Sequence, residues 1–249
     1  MKNKEDIGNH YSKYFRMVNV NTEELKTIAY QLRHNVYIEE FGYHEFDEYD
    51  EYSLHCLLFH KPSNQAIGYI RLIPQIKKFN NQLPIEKFYN EPFDFNATRI
   101  NKVERTNIGE VSRMAVMSSF RRRVSDNYRM DQEHLKQSEN IVSPNNRYPI
   151  NYLPMCLVSA AMHFAFVGNM KYCLAMVEPK LAILLRRLGV QFDQIGKPFE
   201  FFGTRVPYVF YPESTYKNLS PEFRILSDKI IEELSEPNVI KNTAHINAR

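Results

Sequence analysis

Ionisable residues inside strands of otherwise apolar character restrict this chain more than any other feature. Residues 110–116 read Glu-Val-Ser-Arg-Met-Ala-Val, a strand rich in valine, methionine and alanine that carries both an acid and a base. Through Phe120 it runs into the triple arginine Arg121-Arg122-Arg123. Charges are costly to bury unless they are paired or used, so Glu110 and Arg113 form either a structural ion pair or part of a site. A regular strand sends residues 110 and 113 to opposite faces, so either a bulge intervenes or only one of them faces a substrate. Arg71 poses the same question within the run Ala66 to Pro74, unless that strand lies at a sheet edge.

In chain order, Asn21 and Glu24 have capping-box spacing, and Leu25, Ile28, Ala29, Leu32 and Val36 then recur at helical intervals as far as Gly42. Arg33, Tyr37 and Phe41, four apart, share a line on that helix, where a solvated arginine lying over two aromatics is one reading. The acidic stretch His44 to Glu51 alternates Asp47 and Asp50 with Phe46 and Tyr49, which points to a loop held against the body. Ser53–His60 and Ala66–Pro74 flank Lys61-Pro62-Ser63-Asn64-Gln65 and read as a hairpin. A short helix follows at 83–88, then a polar loop at 91–103 and the charged strand.

Residues 124–150 are polar and read as an insertion or mobile loop. Tyr152 to Gly168 is an apolar helix, 171–177 a buried strand, 180–188 a helix behind Pro179, and 190–195 and 206–211 further strands. Ser220-Pro221 opens a last helix with Phe223, Leu226, Ile230 and Leu234 on one face, and the tail beyond Glu236 reads as disordered. Helix, loop, hairpin, charged strand, helix, strand, helix, strand, strand is a mixed α/β layout, an antiparallel meander followed by a crossover.

Acids and bases are interspersed and the net charge is only +3, so no basic field indicates nucleic acid. The first fifteen residues hold no apolar segment of a signal peptide, and the longest apolar run falls short of the ~20 residues of a membrane span. Cys56, Cys156 and Cys173 lie far apart in apolar surroundings, which fits reduced thiols in a cytoplasmic protein. His44, Asp47, Asp50 and His55 match no defensible metal spacing, so no metal is expected.

Four motifs taken together carry a resemblance. Arg33 with Tyr37, Asp47-Glu48-Tyr49-Asp50, Gly68-Tyr69-Ile70-Arg71-Leu72-Ile73-Pro74 and Glu110-Val111-Ser112-Arg113 resemble the signature of the acyl-homoserine-lactone synthases and the long-chain N-acyl amino acid synthases. These share the GNAT acyltransferase fold, a mixed central sheet with an antiparallel N-terminal meander flanked by helices. The likeness is closer to the exosortase-associated acyltransferase branch, through Met114-Ala115-Val116, Phe120-Arg121-Arg122-Arg123, Met176-Val177-Glu178-Pro179 and Gly203-Thr204-Arg205-Val206-Pro207-Tyr208. It covers 20–212 and implies a domain there, with 1–19 as an N-terminal extension and 213–249 as a C-terminal helix and tail. It also implies acyl carrier protein as donor.

The usual GNAT pyrophosphate turn has glycines where this chain has Arg121-Arg122-Arg123-Val124. A glycine-free arginine turn suits one pantetheine phosphate and an acidic carrier surface better than the pyrophosphate of coenzyme A. The expected donor-side residues are therefore Met114, Val116, Arg121, Arg122 and Arg123, with acyl-phosphopantetheine or acyl-CoA as donor and no bound cofactor.

Attack of an amine on an acyl thioester needs a base, for which Glu110 comes first and Asp47 or Asp50 next. Backbone N–H groups at a bulge just past Arg113 would receive the thioester oxygen. Arg33, Tyr37, Arg71 and Arg113 would surround the acceptor, an arginine taking its carboxylate. Alternatively Arg33, Asp47, Asp50, Arg71 and Arg113 form a buried network that shapes the site while Glu110 moves the proton. The leading expectation is acyl transfer from acyl carrier protein to an amino acid or similar small amine. A homoserine-lactone synthase using S-adenosylmethionine and an idle module that binds acyl carrier protein are the alternatives.

Overall fold

The computed structural model describes residues 6–40, 42, 47–96, 98, 107–121 and 152–236, with only the backbone of Arg121. Within it the turn at Lys61-Pro62-Ser63-Asn64 closes as the Asn64 N–H donates to the Lys61 carbonyl at 3.2 Å. Asn64 takes φ 49°, a left-handed backbone that asparagine tolerates. The flanking runs pair as β2 (Leu54–His60) and β3 (Gln65–Ile73). β1 (Phe15–Asn19) pairs with β2, and β4 (Ile108–Val116) with β3, all antiparallel. β5 (Tyr172–Val177) joins β4 in parallel, and β6 (Phe192–Gln194), β7 (Phe199–Glu200) and β8 (Thr204–Phe210) complete the sheet. Its order is β1-β2-β3-β4-β5-β8-β6, with β7 paired to β8.

The helices are α1 (Ile7–Tyr14), α2 (Glu23–Arg33), α3 (Pro84–Phe88), α4 (Ser118–Arg121), α5 (Leu153–Val167), α6 (Pro179–Arg187), α7 (Pro212–Asn218) and α8 (Pro221–Ser235). The expected elements are present, with three differences. Thr22 is the N-cap of α2 in place of Asn21, its hydroxyl accepting the Leu25 N–H at 3.3 Å. The helix does not run on unchanged towards residue 41: after Arg33 it widens into a π turn over His34–Glu40. Phe41 lies outside the described residues, as do 124–150 and the tail beyond Glu236.

The third difference is at the N-terminus. Residues before 20 read as an extension, yet α1 packs on the domain and β1 is the first strand of its sheet. Phe15 and Met17 alternate inward at 7% and 2% exposure. Five residues with polar neighbours give too short an alternation for the sequence to show. The last helix is equally integral, because Leu226, Ile230 and Leu234 of α8 lie in the main core with α5. The Glu233 carboxylate ties the two ends together by accepting from the Tyr11 hydroxyl and the Met17 N–H.

Strand alternation sorts the core onto the two faces of the sheet. On one face α5 lies between the sheet and α8, which is why it is apolar nearly all the way round. On the other, Leu57, Tyr69 and Ala115 meet Ala29, Leu32 and Val36, and Ile73, Ile108 and Leu174 meet Leu83 and Ile85 around α3. The three cysteines are free and buried, as expected, and burial pushes the Cys173 thiol up to about 12. Among the described residues no helix is long and apolar enough to cross a membrane.

Ile230→Ala tests how integral α8 is, since Ile230 is fully buried. It is expected to lower unfolding stability by about 2–5 kcal/mol in urea denaturation. A loss near zero would make α8 a peripheral element.

Candidate active site

The site begins with a defect in β4. Its residues pair in register with β3 at Glu110–Ile73, Val111–Leu72 and Ser112–Arg71, but the next pair is Ala115–Tyr69. Two residues, Arg113 and Met114, thus stand opposite Ile70 alone, which is a β-bulge. Arg113 holds the bulge with φ 53°, uncommon for a residue other than glycine or asparagine. The bulge answers the parity problem of the sequence, because Arg113 lines the same cleft as Glu110. The two charges of the strand are partnered separately, Arg113 with Asp47 and Glu110 with a backbone N–H.

Around the bulge lies a cluster of buried charge. Arg33, fully buried, holds Asp50 through both guanidinium nitrogens at 2.8 and 3.0 Å. Arg71, also fully buried and in a central strand, reaches three partners: Asp47 at 2.7 and 2.9 Å, Asp50 at 2.7 Å and the Ser112 hydroxyl at 3.0 Å. Arg113 adds a 3.2 Å bond to Asp47 and lies 5.8 Å over the Tyr37 ring. The Tyr37 hydroxyl donates to the Met114 carbonyl at 3.1 Å, bracing the bulge from the π turn. Burial alone would raise the Asp50 carboxyl, but the hydrogen bonds and charges of Arg33 and Arg71 outweigh it and hold it below its ordinary value.

A neutral layer backs the charges. The His55 Nε2 lies 2.7 Å from the Asp50 carbonyl and so carries the proton, which leaves Nδ1 to accept from the Tyr69 hydroxyl at 2.5 Å. Desolvation lowers the His55 pKa, consistent with that neutral form. Among the described residues the cluster joins Arg33, Arg71 and Arg113 to Asp47 and Asp50.

Glu110 is only 3% exposed, and its Oε2 accepts the Ile85 N–H of α3 at 2.8 Å. Burial pushes its carboxyl up to about 7, against the opposing pull of that N–H and of Arg71 and Arg113. It occupies a particular place in the sheet. Parallel pairing of β4 with β5 covers only Ile108–Glu110 and Tyr172–Leu174, while β4 continues to Val116 and β5 to Val177. The strands part just beyond Glu110, and a cleft of about 900 Å³ opens there.

The cleft has walls on both faces of the sheet. On the face of α2 and α3 its lining includes Asp47, Arg71, Glu110, Ser112 and Phe88. On the face of α5 and α6 it is apolar, with Val158, Ala161, Leu185, Val190 and Phe210. A charged compartment and a greasy one therefore meet at the bulge.

Residues 32–130 match the family described as an acetyltransferase (GNAT) domain. The chain has the GNAT acyltransferase fold. Three solved structures share this fold at low identity. FeeM, an N-acyl amino acid synthase from uncultured soil microbes, is 14% identical over 82% of this chain and 94% of that one, with TM-score 0.54. BjaI, a CoA-dependent acyl-homoserine lactone synthase solved with SAM and isopentyl-CoA, is 16% identical over 87% and 89%, with TM-score 0.53. The acyl-homoserine lactone synthase LasI is 12% identical over 83% and 95%, with TM-score 0.53. No curated protein matches the chain in sequence.

In this fold the expected site residues Tyr37, Asp47, Arg71, Glu110, Arg113, Met114 and Val116 all line the cleft. Arg33 and Asp50 stand behind its wall, within the charge cluster. The solvated reading of Arg33 and the edge-strand reading of Arg71 are both overturned, since each is fully buried against carboxylates. The Arg121 side chain, Arg122 and Arg123 lie outside the described residues. Sequence reasoning missed Ser112, Tyr69, His55 and the Ile85 N–H as members of the network. Two had a signal: Ser112 follows Glu110 by two and Tyr69 precedes Arg71 by two, so each pair shares a strand face. Among the described residues no group of three or more His, Cys, Asp or Glu could hold a metal ion.

Two outcomes follow from this geometry. Arg71→Leu leaves buried carboxylates short of a partner and is expected to cost about 3–5 kcal/mol in denaturant unfolding. Arg71→Lys should recover less than half of that, since an ammonium cannot reproduce the planar fork. Glu110 behaves oppositely. Its raised folded pKa means that its contribution to stability is fully present below about pH 4 and is lost as pH rises through about 7. Glu110→Gln should therefore be more stable than wild type at pH 8, by on the order of 2–3 kcal/mol, and equal to it near pH 4. Equal melting temperatures across that range would mean that Glu110 carries no buried charge.

Proposed function

We propose that this acyltransferase moves a fatty acyl group from a pantetheine thioester to the amine of an amino acid or similar small acceptor. The observation that carries the reading is Glu110, a desolvated carboxyl placed where a charged compartment meets an apolar one. A free amine is mostly protonated at neutral pH, so it must lose a proton before it can attack. A carboxylate that titrates near neutrality can take that proton. The nitrogen then attacks the thioester carbonyl carbon; the C–N bond forms, the C–S bond breaks and the leaving thiolate takes the second proton that the nitrogen sheds on becoming an amide. Backbone N–H groups at the β4 bulge, where the register with β3 shifts, would meet the oxyanion between these steps.

The remaining residues divide the work. Arg113 lies on the cleft wall, where its guanidinium would meet an acceptor carboxylate. Arg33, Asp50, Asp47 and Arg71 hold that wall in place, and Tyr37 fixes the bulge. The apolar compartment takes the acyl chain, while Met114 and Val116 line the path of the pantetheine arm. Acyl carrier protein is the proposed donor, because the glycine-free Arg121-Arg122-Arg123 segment suits a single phosphate on an acidic partner. The site is proposed to act in the cytoplasm on these dissolved partners.

A second reading, synthesis of an acyl-homoserine lactone from S-adenosylmethionine, draws support from the shared fold of BjaI, solved with SAM and isopentyl-CoA, and of LasI. One experiment separates the two. Purified protein is given an acyl-loaded carrier or acyl-CoA with a mixture of amino acids and S-adenosylmethionine, and products are read by mass spectrometry. An N-acyl amino acid is the expected product. An N-acyl-homoserine lactone would establish the second reading, and carrier binding without any product would make the chain a binding module.

With the acceptor identified, kcat/KM is expected to rise with pH through about 7 and then level off, as Glu110 loses its proton. Glu110→Gln should lower turnover by about 10²–10⁴ and remove that inflection. Turnover near wild type would take Glu110 out of the proton transfer.

A further inference from the structure

Asparagine accounts for four of the six residues other than glycine with positive φ among the described residues: Asn64, Asn80, Asn81 and Asn169. Asparagine adopts that backbone readily. The other two are Arg113, at the bulge of the site, and Phe202, with φ 51°. A bulky side chain there is an outlier, and residues held in this way cluster at functional sites. Both line the same cleft.

Phe202 sits at the tip of the β7–β8 hairpin, followed by Gly203 at φ 90°. Its ring lies 5.1 Å from that of Phe201, which lies 5.0 Å from that of Phe88. Phe88 ends α3, the helix whose Ile85 N–H holds Glu110. Three rings thus lead from the neighbourhood of Glu110 to the surface, and all three line the cleft. Phe88 and Phe202 are 42% and 54% exposed. Phe88 belongs to α3, which packs on the face of the sheet that carries Glu110, and the ring contacts run on from it to Phe202. The compartment for the acceptor has a charged wall of Asp47, Arg71 and Arg113 and an aromatic wall of Phe88, Phe201 and Phe202.

We infer that the aromatic wall is the side-chain subsite for the acceptor, and that the acceptor is an α-amino acid with a large apolar side chain. This rests on the function proposed above. The charged wall takes the acceptor's carboxylate and Glu110 its amine proton, which leaves the third substituent to be read by the rings. A large apolar side chain gains by removing ring surface from water, whereas glycine leaves that wall wet and aspartate brings a charge that must be desolvated against the rings. Phe88 and Phe202 are then specificity-determining residues, and the strain at Phe202 is the local cost of aiming its ring into the cleft.

The test compares phenylalanine, leucine, glycine, serine and aspartate as acceptors at one saturating acyl donor. Wild type is expected to favour phenylalanine and leucine over the other three by at least tenfold in kcat/KM. Phe202→Ala and Phe88→Ala should each lower the phenylalanine-to-glycine ratio by about tenfold, chiefly through KM for phenylalanine. Phe202→Gly separates recognition from folding. Glycine accepts the left-handed backbone, so its melting temperature should match or exceed wild type while the ratio falls. Wild type acylating glycine or aspartate as well as phenylalanine would overturn the inference and leave the proposed function standing. No acylation of any amine would overturn the function itself. If the variants shift the preferred acyl length and leave acceptor preference intact, the rings belong to the donor and the inference fails.

Discussion

The double grip of Arg33 and Arg71 on Asp50 is the interaction on which the rest of the site depends. It joins elements that are distant in sequence: Arg33 ends α2, Asp50 opens the helical turn at the end of the acidic segment, and Arg71 lies within β3. Burying such charges is unfavourable in itself, and replacing a buried ion pair by apolar side chains often stabilises a protein. The fold tolerates the cluster because its acceptors are met: each carboxylate oxygen of Asp47 and Asp50 accepts at least two hydrogen bonds. The result is a charged wall with its guanidinium and carboxylate groups held in place, which an apolar core could not provide. Arg71 extends the same wall to β4 through Ser112, so the charge cluster and the bulge are positioned together.

The second constraint is the early end of pairing between β4 and β5. A fully paired sheet would present two separate surfaces, and a ligand could meet only one of them. Where the strands part, the cleft connects a polar face to an apolar one, and reactants of opposite solvation preference can meet at a single carboxyl group. Among the described residues Glu110 has no salt bridge to settle its charge and is held by one backbone N–H and by more distant arginines. The carboxyl is therefore less stable when ionised than in water, and that same penalty keeps it ready to exchange a proton near neutrality.

Much of this was legible in the sequence, and the rest was hidden for physical reasons. Charges inside apolar strands marked Arg71, Glu110 and Arg113, because few environments accept an ion in a strand. Strand parity raised a bulge near Arg113 as one of two alternatives, and the structure decides for it. What one chain of letters could not show was partner choice: Asp47 and Asp50 could have faced solvent, and only the packing of the turn against β3 decides that they do not. β1 escaped notice because five residues give too little alternation, and the π turn because the 33–37 spacing reads the same in an ordinary helix. Phe202 was invisible for another reason, since its backbone angle is unlike that favoured by its residue type.

The bonds from Glu233 to Tyr11 and Met17 span 222 and 216 residues, among the longest sequence separations in the molecule. Such contacts carry the largest loop-closure cost and cannot form until both partners exist. During synthesis the first helix and edge strand emerge long before the helix that completes their packing. The opening segment must stay soluble through that interval. Its many polar and charged residues, which hid β1 from view in the sequence, suit it to that wait.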